Sequence, residues 1–232
     1  MSLREEIEEA VAKIIRDAWT ERDGRVVPVP DDLALGNDAA KLHATVLYAD
    51  MAHSTKLVDN HAPQFAAEVY KTYLVSAAKI VKNYGGDITA YDGDRIMVVF
   101  VGDSKNSNAA KAALKINAAV IDVINPLILE QYPKTSYRLN HVVGIDTSPL
   151  FAARIGVRND NDLVWVGRAA NYAAKLTSIR EHNTIFITGQ VFDKLNDTSK
   201  YGGTNNELMW KERKWTQMGD MRIYSSTWQW GL

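Results

Sequence analysis

An α+β domain of ferredoxin-like βαββαβ order, preceded by a helical extension, is what the sequence predicts. Three observations carry that prediction. Residues 42–49, Leu-His-Ala-Thr-Val-Leu-Tyr-Ala, have the β-branched and aromatic make-up of a buried strand. Two further strand-like segments, 87–91 and 96–101, flank Asp92-Gly93-Asp94, which reads as the turn of a β-hairpin. Long helical patterns at 63–84 and 108–131 fall where the fold needs its two helices.

The elements follow in order. Residues 3–19 predict an amphipathic helix: Ile7, Val11, Ile14, Ile15 and Ala18 share one face of a 3.6-residue period. Its glutamates lead, and Lys13 and Arg16 trail, which suits the helix dipole. Residues 23–37 hold Pro28 and Pro30, lack periodicity and read as a connector. The chain is thus expected to divide into an N-terminal helix and connector, residues 1–40, and a main domain, residues 41–232. The extension is expected to pack on that domain or on a partner chain.

In the main domain, helix 63–84 has Pro63 in its first turn and Gly85-Gly86 after its end. Helix 108–131 carries an apolar stripe. Residues 137–145 and 150–157 read as two strands, 168–180 as a short helix, 184–187 as a strand and 189–195 as a helix. Segments 208–215 and 221–227 read as a closing pair of strands.

Composition removes several function classes. The 232 residues include 27 Lys and Arg against 28 Asp and Glu, a net charge of −1, so no basic footprint of a nucleic-acid binder is present. There is no cysteine, which excludes disulfides, zinc–thiolate sites and a thiol nucleophile. The N-terminus has no secretory pattern and no apolar run is expected to cross a membrane, so the expected compartment is the cytoplasm.

The fold alone does not name a function; the chemistry must come from a site. Asp50 ends the first buried strand, and Asp94 sits at the hairpin tip. In this topology those strands are neighbours, so both carboxylates project from one end of the sheet. Two adjacent carboxylates repel unless a proton or cation lies between them. All-oxygen ligands select a hard cation, Mg²⁺ or Mn²⁺. Two such ions between two aspartates suit phosphoryl or nucleotidyl transfer. Taken singly, Asp50 as a helix cap and Asp94 as a turn residue are the plainer readings; the pair in this topology favours the metal. Further along, Asn171 and Lys175 lie four apart on one face of an otherwise small and apolar helix. They suit a ribose and a phosphate, or else a solvated face.

These residues resemble the class III nucleotidyl cyclases. The likeness runs through Leu47-Tyr48-Ala49-Asp50, Gly85-Gly86, Gly93-Asp94, Val98-Val99-Phe100, and Gly167 through Asn171 to Leu176, over roughly residues 42–228. The resemblance implies a homodimer with composite sites and residues 41–232 as the catalytic domain. It implies two Mn²⁺ or Mg²⁺ ions per site on Asp50, Met51 and Asp94 of one chain. Asn171, orienting the ribose, and Lys175, stabilising transition-state charge, would come from the other chain. Lys175 stands where the family usually has Arg, which keeps the charge and loses the bidentate fork. Residues 51–55 would offer backbone N–H groups to phosphates. The family's phosphate-binding Lys near the C-terminus is missing from Trp215-Thr216-Gln217-Met218-Gly219.

Two departures bear on the base. Where purine cyclases carry base-reading Lys and Asp, this chain has Ala90 and Val164. Arg95 follows Asp94 directly, and Tyr48 lies two residues before Asp50, on the same side of its strand. This pairing resembles the pyrimidine cyclases of bacterial anti-phage defence systems, the Pycsar type. It implies Tyr48 and Arg95 as substrate-binding residues, UTP as substrate, and cyclic UMP acting on a separately encoded effector. A cytidylate cyclase, a purine cyclase and a non-catalytic nucleotide-binding or dimerisation module are the alternatives.

Overall fold

Two long strands organise the molecule. β2, Asp38–Met51, and β5, His141–Val157, pair antiparallel along thirteen positions, from Ala39 opposite Ala153 to Met51 opposite His141. The computed structural model describes residues 1–179 and 181–232. The chain begins with α1, Leu3–Arg16, then β1, Thr20–Asp23, and a 3₁₀ turn at Pro30–Asp32. The expected connector therefore contains structure: β1 runs parallel to the start of β2, Thr20 opposite Asp38. Leu33 is buried beside Ala40 and Ala152.

After β2 come α2, Ser54–Asn60, α3, Pro63–Asn83, β3, Asp87–Asp92, and β4, Arg95–Phe100. β4 lies antiparallel against β2 and β3 against β4. Strands β5, β2, β4 and β3 then stand side by side in that order. That is the ferredoxin-like arrangement, with the first and third strands of the motif at its centre.

The helix expected at 108–131 is broken into three. α4, Lys105–Ala118, passes through a π-helical turn, Ala119–Ile124, into α5, Asn125–Gln131. Pro126 has no N–H for the preceding turn and its ring would strike a carbonyl there; the wider turn absorbs it. This whole run, Lys105–Gln131, is long and apolar enough by composition to cross a membrane, contrary to expectation. Ala109, Ala113, Leu114 and Ile116 are buried against α3 and the sheet, which makes it a core helix.

β5 replaces the two strands expected at 137–145 and 150–157. Pro149 suggests a break, but it sits in a gap between partners. On the edge away from β2, Val142–Ile145 pair with β7 and Phe151–Val157 with β6. No ladder needs the N–H that Pro149 lacks. β6, Asp160–Val166, forms in a stretch to which the sequence assigns no element.

α6, Arg168–Thr177, is shorter than the expected 168–180; Arg180 lies outside the described residues. β7, Thr184–Thr188, α7, Gly189–Asp193, and α8, Asp197–Lys200, follow. The short pair β8, Tyr201–Gly202, and β9, Glu207–Leu208, precedes β10, Lys211–Trp215, and β11, Met221–Ser226, which extend the sheet beyond β7.

One face of the sheet packs on α3 and α4 through Leu47, Ala49, Tyr73, Val98 and Ile145. On the other face Ala169, Ala170 and Ala173 of α6 pack on Leu42, Ala44 and Val46. Gly144 lets α6 come this close, because a Cβ there would stand 2.1 Å from the Ala173 carbonyl oxygen.

Candidate active site

Asp50 and Asp94 meet because β2 and β4 are hydrogen-bonded neighbours. Asp50 is opposite Arg95 in the ladder, and the Met51 N–H donates to the Asp94 carbonyl at 3.3 Å. Gly93, with φ of 61°, supplies the left-handed turn that brings Asp94 over β2. His53 leads into α2 with φ of 62°, a conformation uncommon for a side chain with a Cβ. The hairpin tip, residues 50–56 and the end of α6 enclose a cleft of about 660 Å³.

The Asp50 carboxyl is partly buried and titrates high, at about 6. Burial is the main cause and the Asp94 charge the second, against smaller opposing effects of Arg95 and of the Thr177 hydroxyl. That hydroxyl donates to Asp50 Oδ2 at 3.3 Å. Arg95 does not neutralise the pair. Its Nε donates to Asp92 Oδ2 at 3.0 Å, and its Nη2 reaches the same oxygen.

The cleft therefore holds two carboxylates whose nearest cation is held by a third. That donor set fits a hard divalent ion. Met51 can add only its backbone carbonyl, because its side chain packs in the core. Among the described residues no cluster of three or more His, Asp or Glu side chains forms a ready-made metal cage. An ion here would complete its shell with water and substrate oxygens.

Tyr48 and Asp50 share the α6 face of the sheet. The Tyr48 hydroxyl donates to Met97 Sδ at 3.0 Å, and the Arg95 guanidinium lies 5.7 Å from the centre of its ring. Burial pushes the Tyr48 hydroxyl above its usual pKa, with Arg95 pulling it back. Arg95 thus joins the metal end of the cleft to an aromatic surface. Ala90 and Met97, also beside Tyr48, present no charge.

The structure does not bring the other expected residues into the same cleft. Asn171 and Lys175 are exposed on α6. At about 100° per residue, they point roughly 240° and 200° around the helix from Thr177, which faces the cleft. Val164 pairs with Ala153, eleven residues along β5 from Val142, the partner of Asp50. That separates it from the cleft by on the order of 35 Å along the strand.

Several supporting residues have no signal as functional residues in the sequence. Asp146, fully buried, accepts Arg168 Nε at 2.9 Å and Nη2 at 3.2 Å, and also the Thr188 hydroxyl at 2.5 Å. This pins the start of α6 to β5 and β7. His141, opposite Met51, is also fully buried. Asn117 Nδ2 donates to the carbonyls of Thr227 and Trp228, so its Oδ1 accepts from His141 Nε2 at 3.1 Å. His141 Nδ1 is left to accept from the Tyr73 hydroxyl at 3.3 Å. Burial drives the His141 pKa down to about 3, so the ring is neutral. Only Asp92, three residues before Arg95 in the same hairpin, was within reach of local reasoning.

Residues 39–224 match the family model of the adenylate and guanylate cyclase catalytic domain. The chain belongs to this family. It is a nucleotidyl cyclase, and cyclases of the family use divalent cations and act as dimers on nucleotides. A uridylate cyclase from Burkholderia cepacia is 49% identical to it over 232 residues, covering 99% of both chains. A uridylate cyclase from Xanthomonas perforans is 45% identical over 233 residues, covering 100% of both. Among solved structures, the guanylyl cyclase Cya2 has a TM-score of 0.69 at 19% identity, over 82% of this chain and 94% of its own. The adenylyl cyclase CyaB from P. aeruginosa has a TM-score of 0.66 at 20% identity, over 81% and 95%. These two show a shared fold.

Proposed function

We propose that this cyclase converts UTP into 3′,5′-cyclic UMP and diphosphate. The observation that carries the reading is Arg95, fixed by Asp92 between the Asp50–Asp94 pair and the Tyr48 ring. The full-length relatives named uridylate cyclase support it.

In this reading the uridine 3′-oxygen bonds to the α-phosphorus, and the bond from that phosphorus to the bridging oxygen breaks. Diphosphate leaves with the electron pair, and the 3′-hydroxyl proton passes to water in the open cleft. Asp50, Asp94 and the Met51 carbonyl would hold two divalent ions, and such ions would supply charge neutralisation at the hydroxyl and the triphosphate. Of the segment 51–55, which lines the cleft, Met51 and Ala52 spend their N–H groups on the Asp94 and Asn140 carbonyls, so His53, Ser54 and Thr55 are the residues that offer N–H groups to phosphate oxygens. Asn171 orients the ribose and Lys175 stabilises transition-state charge, both from the second chain of a homodimer.

Arg95 keeps free donors on its guanidinium after binding Asp92. A donor-only group suits the O4 and O2 acceptors of uracil and is poorly matched to the 4-amino group of cytosine. Ala90, beside Tyr48, presents nothing polar to a purine edge. The product would leave into the cytoplasm for a separately encoded effector, as in the anti-phage systems that the sequence resembles.

The test is a parallel assay of UTP, CTP, ATP and GTP with Mn²⁺, reading released diphosphate and the cyclic product. UTP is expected to turn over fastest. Arg95→Ala is expected to lower UTP turnover about tenfold or more, or to blur base choice, while metal binding persists. Faster cyclisation of a purine nucleotide by the unmodified chain would overturn the reading.

A further inference from the structure

The helix α1 is amphipathic, yet it buries none of its residues. Leu3, Ile7, Val11, Ile14 and Ile15 are between 48% and 80% exposed. This is not a loose tail. Ser2 and Glu5 form a capping box at its start. At its end Asn37 Nδ2 donates to the carbonyls of Ile14 at 2.8 Å and Asp17 at 2.6 Å. Beyond it the Trp19 ring meets Phe151 edge-on at 5.0 Å, and β1 joins the sheet. The helix is held at a set angle with its apolar stripe facing water. A helix of this length is marginal alone, and its own domain does not cover the stripe.

We propose that α1 packs antiparallel on α1 of a second copy of this chain. Leu3, Ile7, Ala10 and Ile14 are spaced four, three and four apart, the seam of a two-helix coil. Charge decides the direction. Glu5, Glu6, Glu8 and Glu9 outweigh Arg4 in the first half, while Lys13 and Arg16 lie in the second. Parallel pairing would set the glutamates side by side. Antiparallel pairing sets each acidic half against the basic half of the other helix, and it opposes the two helix dipoles. Glu6 and Lys13 lie on one flank of the stripe, so reversal brings Glu6 to Lys13 of the second copy and Lys13 to its Glu6.

The contact is short. Two helices about 21 Å long bury well under the roughly 1,200 Å² of a standard interface. It therefore strengthens an association held elsewhere, by raising the effective concentration of the remaining contacts.

The chain has no cysteine, so single thiols report pairing directly in the full-length protein. In the antiparallel seam Leu3 faces Ile14 of the second copy and Ile7 faces its Ala10. Two Ile14 positions, or two Leu3 positions, then lie about 16 Å apart along the axis, beyond disulfide reach. Oxidising a mixture of Leu3→Cys and Ile14→Cys chains is expected to give a crosslinked dimer, and either chain alone little. Ile7→Glu with Ile14→Glu is expected to weaken self-association about tenfold in sedimentation, with unchanged melting of the main domain. Crosslinking by Ile14→Cys alone would mean parallel helices and overturn the proposal. So would absence of any crosslink together with unchanged association of the glutamate variant. The crosslink does not depend on turnover, so it stands apart from the uridylate reading.

Discussion

Asp50 and His141 lie on adjacent strands and titrate in opposite senses, which gives the ion-free protein a distinctive pH profile. Asp50 is raised from 3.8 to about 6, so its contribution is complete below pH 3.8 and lost as pH rises through 6. His141 is lowered from 6.5 to about 3, so its contribution is complete above pH 6.5 and is lost as pH falls toward 3. His141 is fully buried and its shift is the larger, so it sets the sign: stability in EDTA should fall on acidification from pH 6.5. His141→Gln should be less stable at pH 7 but lose most of that acid slope in urea titrations. Asp50→Asn should gain about 1 kcal/mol at pH 7, after discounting for the solvent that reaches the group, and nothing at pH 3.5. Mn²⁺ should stabilise the unmodified chain and leave Asp50→Asn unmoved. An Asp50→Asn protein without that gain in EDTA would show that burial and the Asp94 charge do not raise the Asp50 carboxyl.

Among the elements, α6 is the most exacting, because its distance from the sheet depends on Gly144. A methyl group there would meet the Ala173 carbonyl at 2.1 Å, so Gly144→Ala must lift the helix. The expected cost is about 1–3 kcal/mol of stability, with turnover falling further than stability because Asn171 and Lys175 ride on the displaced helix. Denaturant unfolding beside initial rates would check this, and unchanged rates in a destabilised protein would detach α6 from the chemistry. How far the elements could be read from sequence follows from the range of their causes. The 92–94 turn and Pro63 at the start of α3 are local signals, the Asp50–Asp94 pair follows from the strand order, and each stands where expected. The continuity of β5 through Pro149 is not legible because the tolerance of a proline there depends on which strands flank β5. The π turn before Pro126 is likewise a response to the packed core. Thr177 and Gly144 gain their roles only once α6 lies across β2 and β5, and His141 only once α3 and α4 cover the other face, through contacts between residues far apart in sequence.

At the scale of the whole molecule, one chain gathers the carboxylates, Arg95 and Tyr48 but turns Asn171 and Lys175 outward, away from that cleft. On the proposed reading, a cleft with metal-binding carboxylates and no group to hold the ribose is half a site. A second copy related by a twofold axis would supply the missing half twice over, since each chain carries both halves. The consequence is a complementation experiment. Asp50→Ala chains and Asn171→Ala chains should each be nearly inactive. After subunit exchange, half of the dimers are mixed, and each mixed dimer has one site with all its groups and one with neither. Activity of about a quarter of the unmodified level is therefore expected. Both substitutions in the same chain, mixed with unmodified protein, should leave no site intact in the mixed dimer, so activity should fall below simple dilution. If exchange is verified by mass and the two single variants restore nothing, Asn171 serves its own chain's cleft or none, and the composite site is wrong.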